Sequence, residues 1–281
     1  MTTLMLLAAA VSVFGNGNDG CFHAPTETGV PVPGKADITL TLVDTFEPEG
    51  RALGLYMIES TALLGVNNSD GKVYGYAPST GEVTLTVDLD PANASTCFGV
   101  LFGDEFPGPE RFYTNDWNGN DLYYTVDWGA SWNTIFDPTF NEGRGMDNDG
   151  EYLWSTYGTG KIVRFLPETT PFDTLPVPET SGQLSGLAVF PWEGDLCIAV
   201  TSYGADGIWF YLWDGTELEY LGLGSFPVTS DVAYGLAYSD DLQALFLSYE
   251  DYSGDFWIAR MSVEIEVALE QSTWGAVKAS F

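Results

Sequence analysis

The segment Asn115-Asp-Trp-Asn-Gly-Asn-Asp121 gathers Asp116, Asn118, Asn120 and Asp121 around one glycine. Carboxylate and amide oxygens in such a turn are the ligands of a hard cation, and calcium is the cofactor they would suit. Asp147 and Asp149, in Asp147-Asn-Asp-Gly150, form a second set of the same kind. Neither has the spacing of an EF-hand, which places a glutamate well after the glycine. The same residue types also build tight hairpins, because Asp, Asn and Gly tolerate positive φ. A second chemistry, glycoside cleavage, needs two carboxylates facing each other across a sugar. Glu59, Asp104, Glu105, Glu142 and Asp147 lie near the ends of strand-like runs, with Arg144 as an orienting cation. An acidic chain supplies carboxylates everywhere, so residue type alone distinguishes none of the five.

Other machinery is excluded by scarcity. His23 is the one histidine, and the cysteines are Cys21, Cys97 and Cys197, with no C-x-x-C pair. Nucleophile–histidine catalysis and zinc ribbons therefore have nothing to build on, and the sequence assigns no catalytic residue. An odd cysteine count leaves at most one bridge and a spare thiol. The charge balance is 40 acids against 9 bases, a net −31. Such a field repels phosphate backbones and anionic bilayers, so neither nucleic acid nor a membrane is expected as partner.

The elements that must carry these residues show a repeat. Gly54, Gly99, Gly145, Gly186 and Gly235 follow one another at steps of 45, 46, 41 and 49 residues, each on a short apolar run. Gly71, Gly119, Gly160, Gly207 and Gly254 run in phase with them, each in a polar turn. A period of roughly 40–50 residues marks a propeller or array, since one unit cannot bury its own apolar face. Each unit reads as an inner glycine strand, an aromatic and β-branched second strand, a Gly/Asp/Asn turn, a third strand and an outer strand. In Ile208-Trp-Phe-Tyr-Leu-Trp213, period two puts Trp209, Tyr211 and Trp213 on one face and Phe210 and Leu212 on the other. Helical periodicity is absent, so the fold is all-β.

The fifth unit lacks its own outer strand, while the alternating run 37–46 precedes the first inner strand. The expected architecture is a five-bladed β-propeller of four-stranded antiparallel blades over residues 37–266. Strand 37–46 should pair with Phe256–Val263 and close the ring, which removes the free edge. Meander order places the second-to-third-strand turns and the blade connections on one face of the disc. Asp70, Asp116, Asp206, Asp251 and Asp255 should make that face strongly negative.

Two terminal segments flank this body. The apolar run within residues 1–15, including Leu4, Leu6, Leu7, Val11, Val13 and Phe14, is too short to span a bilayer. It reads either as a secretion signal or as a retained arm, and 16–36 has linker composition. A tail follows over 267–281, in which Trp274 is the large aromatic.

The phrases Tyr74–Val83 and Gly145–Trp154 resemble those of secreted bacterial β-propellers of the YncE-like, NHL-like and glutamine-cyclotransferase-like kinds. The resemblance implies the fold alone, because no enzyme motif of those families has a counterpart here. The tail Glu270–Phe281 is similar to those of secreted proteins from uncultured bacteria. A secreted or cell-surface location is expected. With no catalytic set, an apolar arm and a tail, the expected role is a non-catalytic, self-assembling structural propeller. It would join head to tail with itself into a fibre or layer through the arm and Trp274. A calcium- or carbohydrate-binding propeller and a carboxylate-dependent glycosidase are the alternatives.

Overall fold

The computed structural model describes residues 34–90, 94–103, 111–118, 121–136, 143–166 and 173–267. The first strand, β1 (Ala36–Phe46), stands apart in the chain order. The first blade holds β2 (Leu55–Ile58), β3 (Ala62–Asn67), β4 (Lys72–Tyr76) and β5 (Val83–Asp88). The second holds β6 (Cys97–Gly103), β7 (Arg111–Asp116), β8 (Asp121–Thr125) and β9 (Asn133–Phe136). The third comprises β10 (Gly143–Asn148), β11 (Leu153–Tyr157), β12 (Lys161–Phe165) and β13 (Asp173–Pro176). The fourth comprises β14 (Leu184–Trp192), β15 (Asp195–Ser202), β16 (Gly207–Trp213) and β17 (Leu218–Ser225). The fifth takes β18 (Val232–Ser239), β19 (Ala244–Glu250) and β20 (Phe256–Val267), with β1 as its outer strand.

The five-bladed propeller read from the repeat is therefore the fold, and the strand that closes it is the expected one. β1 runs antiparallel to β20 from Ala36↔Val267 to Phe46↔Ile258, and Arg260 pairs with Asp44 across that seam. Leu40 from β1 packs into the core with Ile208, Leu221 and Met261, so the closing strand is anchored by apolar burial as well as by its ladder.

The five period-setting glycines meet in a ring around the axis. A Cβ on Gly54 would lie 2.7 Å from the Cα of Gly99, and one on Gly99 would collide with the Arg144 carbonyl. One on Gly145 would lie 2.9 Å from Gly186 Cα, and one on Gly186 2.8 Å from Leu236 N. One on Gly235 would lie 2.6 Å from Leu55 N, which brings the circle back to the first blade. The missing side chains let five inner strands approach to backbone contact, and that is why glycine sets the period.

Around this waist the sheets are irregular. Register shifts fall at Cys97/Val100, Gly143/Met146, Leu184/Gly186 and Ala233/Leu236, beside four of the ring glycines. Farther out the core is apolar and aromatic. Trp209, Tyr211 and Trp213 pack with Trp154, while Phe210 joins the cluster on the other side of the blade, as the alternation requires. Cys97 and Cys197 are buried thiols outside any disulfide, and Cys21 lies outside the described residues.

Candidate functional site

Each bulge at a ring glycine detaches backbone groups from their ladder, and polar side chains from the second strands take them up. Asn115 Oδ1 accepts from Gly99 N at 2.7 Å, and its Nδ2 donates to the Arg144 carbonyl at 3.0 Å. Thr114 Oγ1 donates to Gly99 O, Ser155 Oγ to Gly145 O, and Ser248 Oγ both accepts from Gly235 N and donates to Leu53 O. All four side chains are buried. Alanine at Asn115 would orphan one donor and one acceptor in the two blades it bridges. We expect a loss of about 2–4 kcal/mol of stability, read as a lower urea midpoint at unchanged slope.

That belt fixes the residues just ahead of the ring glycines, which form the floor of the axial mouth on the connection face. The floor is Leu53, Phe98, Arg144, Ser185 and Tyr234, one residue per blade, all buried. Above it stand three half-buried rings from turns on the same face: Trp117 after β7, Tyr203 after β15, and Phe256 opening β20. Phe98 and Tyr203 meet edge to face at 6.2 Å, Tyr203 and Tyr234 at 5.7 Å. Arg51, on the connection ahead of β2, lies over Phe256 at 5.2 Å and Tyr234 at 5.8 Å.

Arg144 is the unusual member. It is 2% exposed, and its guanidinium carbon lies 5.1 Å from the Tyr203 ring centre, 5.7 Å from Trp117 and 5.9 Å from Phe98. Its Nε and Nη1 are buried with no hydrogen-bond partner among the described residues. By contrast Arg164 pairs with Asp173 and Arg260 with Asp44. Facing ring π-systems offsets part of the desolvation of a cation, on the order of 1–2 kcal/mol, but supplies no acceptor for its N–H groups. Tyr234 donates to Glu250 Oε2 at 2.7 Å, and burial pushes its pKa up, so the phenol stays protonated.

The other mouth holds Asp147, two residues past Gly145. It accepts from Val189 N at 2.7 Å in the next blade and from Asn148 N at 2.8 Å. Burial, aided by the nearby charge of Asp149, pushes its carboxyl up to about 7 against the pull of those two N–H groups. Asn148 Nδ2 donates to the Tyr56 hydroxyl across the axis at 2.9 Å.

The expected calcium ligands are therefore split between two faces. Asp116 and Asn118 flank the turn after β7 and Asp121 opens β8, whereas Asp147 and Asp149 are at the far end of β10. Much of their oxygen capacity goes to local bonds. Asp116 Oδ1 accepts from Asn118 N and Asp121 Oδ2 from the Tyr123 hydroxyl. Asp149 caps Glu151 N and Tyr152 N and accepts from Trp154 Nε1. Among the described residues no group of three or more His, Cys, Asp or Glu is placed to hold a metal ion. Asn120, Asp104, Glu105 and Glu142 lie outside the described residues, and Glu59 is exposed in the turn after β2. Leu4, Leu6, Leu7, Val11, Val13, Phe14 and Trp274, expected to mediate assembly, also fall outside them.

A groove of about 490 Å³ runs between the fifth blade and residues 227–229, with Tyr249, Tyr252 and Trp257 on its wall. Its carboxylate, Asp251, is engaged by Ser253 N, Asp255 N and Trp257 Nε1. Among the described residues, the groove offers no buried, unsatisfied polar side chain, and the axial mouth does. Sequence reasoning placed Arg144 as an orienting cation but missed the rings around it. The available signal was a polar or aromatic residue immediately before most of the ring glycines.

No known protein family matches the sequence, and no curated protein matches it. Solved structures do. One is a protein assigned as a gluconolactonase, at TM-score 0.51 and 14% identity, covering 81% of this chain and 99% of that chain. Another is the PQQ-bound aldose sugar dehydrogenase of Streptomyces coelicolor, at TM-score 0.55 and 14% identity, covering 83% and 100%. At this identity the likeness is one of fold. It corrects one expectation: the neighbours carry enzyme names, and the non-catalytic self-assembling propeller has no counterpart in either, so that role is withdrawn.

Proposed function

We propose that this propeller is an enzyme that takes a small, sugar-derived molecule at the axial mouth of the connection face and hydrolyses an internal ester in it. The observation that carries the reading is the buried guanidinium of Arg144, unpartnered at Nε and Nη1 among the described residues and walled by Phe98, Trp117 and Tyr203. A preorganised donor in a site poor in water favours the oxyanion that develops when water adds to an ester carbonyl. Aromatic faces suit the C–H surfaces of a sugar ring, and the Tyr234 ring, whose hydroxyl donates to Glu250, adds to that wall. In the reaction water adds to the carbonyl, the ring C–O bond breaks, and the proton of water ends on the departing alkoxide. A hydroxy acid is the product. The names of the fold neighbours supply the class of molecule to try.

The test is ring opening of gluconolactone by the full chain, followed as acid release over the buffer rate. Turnover is expected, falling about 100-fold or more in Arg144→Met, whose fold is checked by circular dichroism. A rate equal to that of buffer at every pH between about 5 and 8, the range in which general acid–base groups operate, would remove the reading.

A further inference from the structure

Resting on that reading, we infer that Arg144 is a carboxylate receptor and that the mouth binds the open-chain hydroxy acid, a small monocarboxylate, in preference to its neutral analogues. Nε carries one N–H and Nη1 two, and none meets an acceptor among the described residues. Each shares one edge of the planar guanidinium with Nη2, and either edge, Nε–Nη2 or Nη1–Nη2, matches the two oxygens of a carboxylate. The charge argument agrees. A cation held at 2% exposure, with no ion pair to any described residue, is balanced by one negative charge brought in by a ligand.

The surroundings limit that ligand to a single charge. The connection face carries Asp70, Asp116, Asp206, Asp251 and Asp255 in the turns around the mouth, so each further negative charge adds repulsion. The half-buried Trp117 and Tyr203 rings stand 5.7 Å and 5.1 Å from the guanidinium carbon, so the body of an acid held there rests against aromatic faces. The donors and the rings together describe a carboxylate on a hydroxylated chain rather than an inorganic anion.

The test is calorimetric titration of the full chain with sodium gluconate and with gluconamide, its neutral isostere, at about 0.15 M NaCl, where long-range surface charge is screened. Gluconate is expected to bind at least about 10-fold more tightly than gluconamide, and citrate more weakly than gluconate. Arg144→Met should weaken gluconate about 100-fold, and Arg144→Lys less, since a point charge replaces the fork. The wild-type comparison of gluconate with gluconamide decides the matter even where a variant fails to fold. Equal affinities for the two, or no heat from gluconate, would overturn the inference. Lactone turnover without a preference for gluconate would overturn the receptor and leave the hydrolase, and gluconate binding without turnover would do the reverse.

Discussion

Alanine at Gly99 is expected to destabilise the fold by about 3 kcal/mol or more, enough to abolish cooperative unfolding in a marginal domain. The new methyl group would collide with the Arg144 carbonyl and stand 2.9 Å from Asn115 Oδ1. Neither obstacle is the free end of a flexible side chain. The carbonyl belongs to the next inner strand, and the amide is held at both ends by its bonds to Gly99 N and Arg144 O. Gly99 is not among the positive-φ residues, so the effect is steric contact and not backbone strain. Gly150 provides the comparison. It has φ 85°, and a methyl group there would find nothing within 4 Å, so alanine meets only the left-handed penalty of about 1 kcal/mol. Urea midpoints for the two variants separate the effects. Equal losses at both sites would mean that the ring is not close-packed.

The second large effect is a pH dependence. Burial raises the Asp147 carboxyl to about 7 in the folded chain, against roughly 3.9 when unfolded. The folded state therefore keeps a proton that the unfolded state releases between those values. This contribution to stability is full below about pH 4, falls as pH rises to about 7, and is flat above it. About three pK units correspond to about 4 kcal/mol at the upper end of that window. General acidity gives a slope of the same sign, because ionising 40 acids in a compact body raises their mutual repulsion. Salt separates the two: about 0.5 M NaCl flattens the surface contribution and leaves the buried one. Unfolding free energies of wild type and Asp147→Asn from about pH 4 to 8 at that salt should differ in slope by about one proton. Parallel curves would place Asp147 in contact with water.

The architecture was legible because glycine spacing is a geometric requirement of the ring. A side chain at Gly54, Gly99, Gly145, Gly186 or Gly235 meets the backbone of the next blade, so the period is written directly in residue identity. The run 37–46 was legible as the closing strand for a similar reason: an unpaired strand at one end and a missing one at the other define a single pairing. The site was harder to read. Trp117, Tyr203 and Phe256 come from turns in three different blades, and nothing local in those turns distinguishes an axial ring from a core one. The acidic turns looked like cation sites because Asx bonds and metal ligation use the same residues. Asp116, Asp149 and Asp251 turn out to hold their own turns.

The pairing of β1 with β20 also sets an order of events during synthesis. β1 ends at Phe46 and its partner begins at Phe256, so the first of the propeller's strands to be made hydrogen-bonds to the last. At ribosomal rates of roughly 5–20 residues per second the interval is about 10–40 s. Through that interval β1 has no ladder partner, and Leu40 lacks Met261 even after Ile208 and Leu221 have been made. A chain released early never completes the seam. Translation through β20 is thus built into the fold as the last step of its own assembly, and truncated products expose the edge that proteases and chaperones recognise.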